Sequence, residues 1–184
     1  MMAAISSVLF YFDFALPIFP AFLKMDFSDI PSLIAAFAYG PISGILVQLV
    51  KNLLHLTITS TWGIGELANF IVGSALVVPA GLVYQRRHDI KGALTGLVCA
   101  TVSMSIVGLF ANYFILIPFY ASRILPMDAI ISLSNKIIPF INDKFTLVLF
   151  AIVPFNLLKG IVISIITLLL YKRVRHLLSK ISLV

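Results

Sequence analysis

The sequence predicts an all-α membrane protein with six transmembrane helices, in a single domain that covers residues 1–184. Hydrophobic residues make up 61% of the chain, charged residues only 11%, and the mean hydropathy is +1.11. A soluble globular domain has roughly 45–50% apolar and about 25% charged residues. The apolar runs are long and do not alternate, which argues against an outer-membrane barrel. Because a transmembrane helix takes about 20 apolar residues, the chain has room for about six spans with short loops.

Prolines and glycines divide the first part of the chain. The apolar runs predict the first three helices at residues 1–16, from Pro31 to Tyr39 and at residues 42–57. Pro17 ends the first helix, because proline cannot continue one. A loop of residues 17–29 follows, and Gly40-Pro41 separates the second helix from the third. The second helix is short for a membrane span.

The later apolar runs predict helices at residues 66–84, 92–117 and 146–171. The fifth helix is expected to end before Pro118, which lacks the backbone N–H that a helix interior requires. A long loop of residues 119–145 separates the fifth helix from the sixth. Four apolar residues predict a short surface helix within this loop: Ile137, Ile138, Phe140 and Ile141.

Basic residues set the predicted orientation. One cluster follows the fourth helix and another follows the sixth: Arg86, Arg87 and Lys91, and then Lys172, Arg173, Arg175 and Lys180. Two spans separate the clusters, so both lie on one side, and the positive-inside rule assigns that side to the cytoplasm. Six crossings then place both termini of this multi-pass cell-membrane protein in the cytoplasm. Because basic loops account for the net charge of +6, no nucleic-acid partner is predicted.

Polar residues within membrane spans are costly and mark candidate functional sites. They are Asp13, Lys51, His55, Glu66 and Lys159, together with the amides Gln48, Asn52, Asn69, Asn112 and Asn156. A rise of about 1.5 Å per residue puts Lys159 roughly 20 Å and Asn112 roughly 30 Å from the basic clusters. Asn156 lies one turn beyond Lys159, and Glu66 and Asn69 begin the fourth helix. These residues are therefore predicted to share one layer in the outer half of the membrane, as a pocket open to the outside.

The spacing of these residues suggests their roles. Asn156 and Lys159 share a helix face, and ligand contact is the favoured interpretation. The structural alternative is an ion pair of Glu66 with Lys159 or Lys51, which would make Glu66 a scaffold partner. Asn112 presents a donor and an acceptor, which suits either a heterocycle edge or a hydrogen bond between helices. The remaining candidates for either ligand pocket or scaffold are Phe10, Phe14, Asn69, Tyr113, Phe114 and Phe155.

Motifs for enzymatic chemistry are missing from the sequence. No Gly-x-x-x-x-Gly-Lys-Ser/Thr loop is found, so the chain is not expected to hold ATP in the P-loop manner. No His-Glu-x-x-His or Gly-x-Ser-x-Gly motif is found either. One His within the spans and scattered acids are too few for a metal site. We therefore predict a protein that is not an enzyme and has neither a metal nor a cofactor.

Five segments resemble the riboflavin-binding S component of energy-coupling factor (ECF) transporters, the RibU family. They are residues 19–33, Lys51-Asn-Leu-Leu-His55, Gly65-Glu-Leu-Ala-Asn-Phe70, Ala111-Asn-Tyr-Phe114 and Pro154-Phe-Asn-Leu-Leu-Lys-Gly160. The resemblance implies a six-helix S-component fold with an outward-facing vitamin site, covered by the loop of residues 17–29. It also implies ligand contacts through the backbone of Leu23 and the side chains of Asn112, Asn156 and Lys159.

The resemblance further implies partners: a transmembrane coupling subunit and two cytoplasmic ATPases. In this family the first helix meets the coupling subunit through an Ala-x-x-x-Ala pattern, and the nearest match here is Ala3 with Ser7. Two alternatives remain open at this point. One is an S component for another vitamin, such as thiamine or folate, and the other is a small membrane channel or structural protein without a soluble ligand.

Overall fold

The computed structural model describes residues 1–59 and 61–181, and the described chain is mostly helical. The helices are α1 (Met2–Phe10), α2 (Asp29–Tyr39), α3 (Pro41–His55), α4 (Ile64–Arg86), α5 (Ile90–Ala111), α6 (Ile117–Arg123), α7 (Met127–Asn135), α8 (Lys144–Leu147) and α9 (Val153–Ile181). A short 3₁₀ turn, Leu56–Ile58, extends α3. Of the predicted C-terminal basic cluster, the side chains of Lys172, Arg175 and Lys180 lie outside the described residues.

Within the described part of the chain, four helical stretches are long and apolar enough to cross a membrane: Pro41–Ile58, Ile64–Arg86, Ile90–Arg123 and Lys144–Tyr171. The predicted all-α membrane architecture is confirmed for these four. At about 1.5 Å per residue, α1 and α2 are roughly 14 and 17 Å long, well short of a hydrocarbon core of about 30 Å. The six crossings therefore remain a prediction.

The first helix is shorter than predicted. It ends at Phe10, and the chain then forms a two-stranded antiparallel hairpin of β1 (Phe14–Ala15) and β2 (Lys24–Met25). The predicted continuation to residue 16 is wrong, because Phe14 and Ala15 pair with the strand at Lys24 and Met25. Asp13 also pairs with Lys24, with 2.9 Å between Oδ2 and Nζ. The segment that joins α1 to α2 is thus an ordered hairpin.

Pro118 does not end the fifth helix, contrary to the prediction. The helix continues through a wide π-type turn, Asn112–Leu116, into α6, and the N–H of Ile117 donates to the carbonyl of Asn112. A second wide turn, Val148–Ile152, lies between α8 and α9 and precedes Pro154 in the same way. Wide turns of this kind often occur at functional sites.

The loop of residues 119–145 folds differently from the prediction. After the end of α6, this segment forms the helix α7. Residues 137–141 form turns, and Asn135 Nδ2 donates to the carbonyls of Pro139 (3.1 Å) and Ile141 (2.8 Å) there. Pro139 interrupts the expected surface helix. Ile141 is fully buried against a core that includes Ile130, Leu147 and Ile152. The loop is therefore a packed layer over the ends of α5 and α9.

The main core lies between α2, α4, α5 and α9, where Leu33, Leu76, Leu97 and Ile163 are essentially inaccessible. The opposite face of α5 is an exposed apolar stripe at intervals of four residues: Leu94, Val98, Val102, Ile106, Phe110 and Phe114. Such a stripe suits contact with lipid tails. Asp89 caps α5 by accepting from the N–H of Gly92 (2.6 Å), and this hydrogen bond lowers the pKa of the Asp89 carboxyl below its ordinary value.

Candidate functional site

A cavity of about 480 Å³ lies at the end of the bundle where α1 and α3 end and α4 begins. This volume falls within the usual range for small-molecule sites, about 300–1,000 Å³. Its apolar lining includes Phe10, Phe22, Leu23, Met104, Leu116 and Phe155. Its polar lining includes His55, Glu66, Asn69, Asn112, Asn156 and Lys159. Apolar walls with a few placed polar groups are typical of a site for a flat organic ligand.

All four residues implied as ligand contacts line this cavity. Leu23 faces it from the hairpin segment, and its N–H donates to the carbonyl of Pro20 (2.9 Å). Asn112 is the first residue of the first wide turn. Asn156 and Lys159 lie in α9, directly after the second wide turn. The structure therefore brings together residues from three separate parts of the sequence.

The two asparagines are held in the same way. Asn112 Nδ2 donates to the carbonyl of Gly108 (2.7 Å), and Asn156 Nδ2 donates to the carbonyl of Ile152 (2.9 Å). Each amide thus uses one N–H on its own helix, four residues back. Its Oδ1 and second N–H remain available. Each asparagine therefore offers a fixed acceptor and one donor to the cavity.

Lys159 does not pair with Glu66, contrary to the structural alternative considered from the sequence. Its Nζ donates to Asp26 Oδ2 (2.7 Å) and lies 3.4 Å from Asp29 Oδ2. Both carboxylates and the lysine are buried. Asp26 belongs to the hairpin segment that lines the cavity, so this ion pair ties that segment to α9.

Lys51 completes a buried network of two lysines and two carboxylates. Its Nζ donates to Asp29 Oδ1 (2.6 Å) and to Ser28 Oγ (2.7 Å), and Ser28 Oγ donates to Asp26. Gln48 Nε2 also donates to Asp29 Oδ1 (2.8 Å). The charges of the network sum to zero, which suits burial. It links the hairpin segment, α2, α3 and α9.

The two carboxylates of this network were not predicted as site residues from the sequence. Asp26 and Asp29 lay in a predicted loop and at a helix start, where acidic residues are ordinary. A signal was available, because two lysines within apolar helices need two counter-charges in the membrane.

Glu66 instead pairs with His55, with 2.9 Å between Oε1 and Nδ1. Its other oxygen accepts from the hydroxyls of Thr59 (2.8 Å) and Thr61 (3.1 Å). The His55 ring stacks on Phe10, with 4.1 Å between the ring centroids. Both carboxylate oxygens of Glu66 therefore have protein partners.

The sequence of the chain matches a known family. The family described as the ECF transporter, substrate-specific component, matches residues 1–171. The chain belongs to this family. The membership implied by the five sequence segments is thereby confirmed. As an S component, the protein is expected to have its substrate cavity within the membrane bundle.

Several relatives support this placement. The chain is 39% identical to "Riboflavin transporter RibU" of Staphylococcus aureus (strain TCH60), over 98% of this chain and 90% of that protein. It is 33% identical to "Riboflavin transporter FmnP" of Bacillus subtilis (strain 168), over 95% and 88%. A solved structure described as the S component of a bacterial ECF transporter superposes with a TM-score of 0.76 at 37% identity, covering 97% of this chain and 93% of that one.

Not every predicted pocket residue of this S component reaches the cavity. Phe10, Glu66, Asn69 and Phe155 line it, whereas Phe14 and Tyr113 are not among its lining residues. Phe14 is half-exposed and packs near Phe27, with 6.1 Å between ring centroids. Lys144 Nζ lies 4.0 Å from the centroid of the Tyr113 ring. Phe114 belongs to the exposed stripe of α5.

The expected small-residue pair on α1 does not form an exposed strip. Ser7 is buried, and its hydroxyl donates to the carbonyl of Ala3 (2.9 Å). The exposed face of α1 is formed by Ala4, Ile5 and Val8. Any partner that docks on α1 therefore meets these residues first.

The packed layer of residues 119–145 gives this S component a second, neighbouring cavity of about 350 Å³. Its lining is almost entirely apolar and includes Ile130 and Leu133 of α7. It shares Phe22, Asn112 and Tyr120 with the larger cavity. Residues 1–59 and 61–181 contain no group of three or more His, Cys, Asp or Glu side chains that could hold a metal ion.

Proposed function

We propose that this chain is the riboflavin-binding S component of an ECF importer. It captures riboflavin from the outside and delivers it together with a transmembrane coupling subunit and two cytoplasmic ATPases. The observation that carries the proposal is the cavity, in which Leu23, Asn112, Asn156 and Lys159 meet between aromatic walls. Two relatives that cover 98% and 95% of this chain are named riboflavin transporters, which supports the choice of ligand.

The chemistry of the lining suits this ligand. The isoalloxazine ring of riboflavin is flat, with apolar faces and a uracil-like edge of alternating carbonyl and N–H groups. Phe155 and the Leu23 segment pack on the faces, and the main chain of Leu23 contacts the ring. The Oδ1 atom of one asparagine accepts from the single ring N–H, the other asparagine donates its free amide N–H to the polar edge, and Lys159 donates to a ring carbonyl oxygen. Asp26 and Asp29 hold Lys159 ready for that contact.

The position of the cavity also bears on the orientation of the protein in the membrane. The basic residues Arg86, Arg87 and Lys91 lie at the end of the bundle opposite the cavity, which supports a cavity on the outer side. The chain then crosses the cell membrane six times with both termini in the cytoplasm, and α1 and α2 act as short spans. The coupling subunit docks on α1, where Ala4 and Val8 supply the exposed surface next to Ala3 and Ser7.

The visible absorbance of detergent-purified protein tests the ligand directly. We expect a flavin band that stays with the protein through gel filtration after riboflavin is added, at about one flavin per chain. Thiamine and folate serve as controls and should not displace it. Protein that retains no flavin with excess riboflavin would refute the proposal, and retention of thiamine or folate would favour another vitamin. Binding of none of the three would favour a channel or structural role.

A substitution at Gly108 tests the role of Asn156 while leaving the asparagine itself in place. A methyl group at Gly108 would lie 2.8 Å from Asn156 Nδ2, at the end of a flexible side chain. Gly108→Ala should therefore displace the amide at little cost in stability and weaken riboflavin binding by about tenfold, as Asn156→Ala should. The affinity is measured by titration in detergent.

The matched control is Gly160→Ala. Its added methyl would lie 2.7 Å from Thr101 Cγ2, also between α5 and α9 but among residues that do not line the cavity. This variant should bind riboflavin like the wild type. Equal losses in both variants, or no loss in Gly108→Ala, would contradict the placement of Asn156 in the site.

A further inference from the structure

Asn69 is a polar cavity residue with no hydrogen-bond partner among the described residues. It lies in α4, one turn after Glu66, and lines the larger cavity. Its Oδ1 atom is buried and has no hydrogen-bond partner, and its side chain makes no hydrogen bond to any other described residue. The other two cavity asparagines each use one amide N–H within their own helix. Asn69 therefore has the largest unused hydrogen-bonding capacity among the three.

An orphaned buried amide oxygen is unusual, because folded proteins pair nearly all of their buried polar groups. Leaving such an oxygen unpaired opposes folding. Of the three buried amide oxygens without a partner in the described chain, those of Gln48, Asn52 and Asn69, only that of Asn69 belongs to a residue that lines this cavity. The neighbouring carboxylate of Glu66 cannot supply a partner for this oxygen, because it is itself an acceptor, with His55, Thr59 and Thr61 as its partners. The α4 wall of the cavity thus presents one carboxylate with three protein partners and one unused amide.

The location of Asn69 indicates which part of a ligand it meets. Asn112, Asn156 and Lys159, which we assign to the ring edge, come from the wide turn after α5 and from α9. Asn69 belongs to the α4 wall, beside the polar end of the cavity that includes Thr61 and Glu66. A sugar-alcohol hydroxyl both donates and accepts, so adjacent hydroxyls pair with the oxygen and the N–H of one amide.

We propose that Asn69 binds hydroxyls of the ligand's sugar-alcohol chain and so selects flavins that carry this chain over flavins that lack it. The inference rests on the proposed riboflavin function. In this arrangement the ring edge and the hydroxyl chain are recognised by different helices.

The test compares riboflavin with lumiflavin, which has the same ring system and a methyl group in place of the ribityl chain. Affinities are measured for the wild type and Asn69→Ala by quenching of the emission of Trp62, the one tryptophan in the chain. Asn69→Ala should bind riboflavin about tenfold more weakly and should bind lumiflavin like the wild type. Lumiflavin binding also reports that the variant is folded.

The control is Asn52→Ala. Asn52 likewise has a buried Oδ1 atom without a partner, but it does not line this cavity. The Asn52→Ala variant should bind both flavins like the wild type. Should Asn69→Ala not fold, Asn69→Leu, which keeps the volume and removes the hydrogen bonds, takes its place.

Two results would overturn the inference while leaving the proposed function intact. One is unchanged riboflavin affinity in the Asn69 variants, and the other is an equal loss for riboflavin and lumiflavin. A wild-type protein that binds neither flavin would instead overturn the proposed function and this inference with it. Selective loss of riboflavin affinity in the Asn69 variant alone would support the assignment.

Discussion

Lys159→Met is expected to weaken riboflavin binding by at least about tenfold and to destabilise the protein by about 3–5 kcal/mol. The substitution removes the donor to the ring and leaves Asp26, whose Oδ2 accepts from Lys159 at 2.7 Å, without its cation. It also removes one of two cations near Asp29. A buried charge without a partner is far more costly than the loss of the pair itself. Affinity is measured by titration, and stability by thermal unfolding in detergent.

A double variant separates the two roles of Lys159. Adding Asp26→Asn to Lys159→Met removes the orphaned charge and leaves the Lys51–Asp29 pair intact. Most of the stability should return, whereas riboflavin affinity should not. Recovery of affinity together with stability would show that Lys159 acts only as scaffold and would remove it from the ligand contacts.

Lys51→Met is expected to destabilise the protein by about 3 kcal/mol, with a much smaller effect on riboflavin affinity than Lys159→Met. Lys51 is fully buried, and its Nζ lies 2.6 Å from Asp29 Oδ1. It does not line the cavity. Asp29 keeps Lys159 at 3.4 Å, so the expected cost lies at the lower end of the range for a broken buried pair. Thermal unfolding in detergent and flavin titration are the two measurements.

The chain offers a matched control in its exposed lysine–aspartate pair. Lys24 and Asp13 are 2.9 Å apart, but the lysine side chain is 54% exposed. Lys24→Met should therefore change stability by less than about 1 kcal/mol. Asp29→Asn added to Lys51→Met should restore part of the lost stability. Equal effects of Lys51→Met and Lys24→Met would contradict the idea that the buried network holds the bundle together.

Much of the candidate site could be predicted from the sequence, because the regular rise of a helix relates the spacing of residues in the sequence to their depth in the membrane. A fixed rise per residue placed Asn112, Asn156 and Lys159 in one layer, and the structure places all three on one cavity. The partners of the charged residues could not be predicted in this way. Lys159 had Glu66 within the same predicted layer, yet it pairs with Asp26, 133 residues away in the sequence.

Local breaks in the helices were predicted poorly for a related reason. Proline interrupts a regular α-helix because it has no N–H to donate and its ring clashes with the carbonyl four residues earlier. The wide turns before Pro118 and Pro154 shift the hydrogen-bonding pattern to five residues, and both helices continue. Conversely, the end of α1 at Phe10 was not predicted, because the chain beyond it pairs with residues 24–25 in a hairpin.

Sequence order was enough to recognise a helical membrane protein of the S-component family and to predict one layer that holds two amides and a lysine. Composition, helix rise and five family segments suffice for that, because each is a property of the chain read in order. Which polar groups are already paired is visible only in the folded chain. The tertiary structure assigned Glu66 to His55, tied Lys159 to the hairpin segment through Asp26, and left Asn69 without a hydrogen-bond partner among the described residues. Pairing depends on distances of a few ångströms between separate helices, and sequence order does not encode those distances.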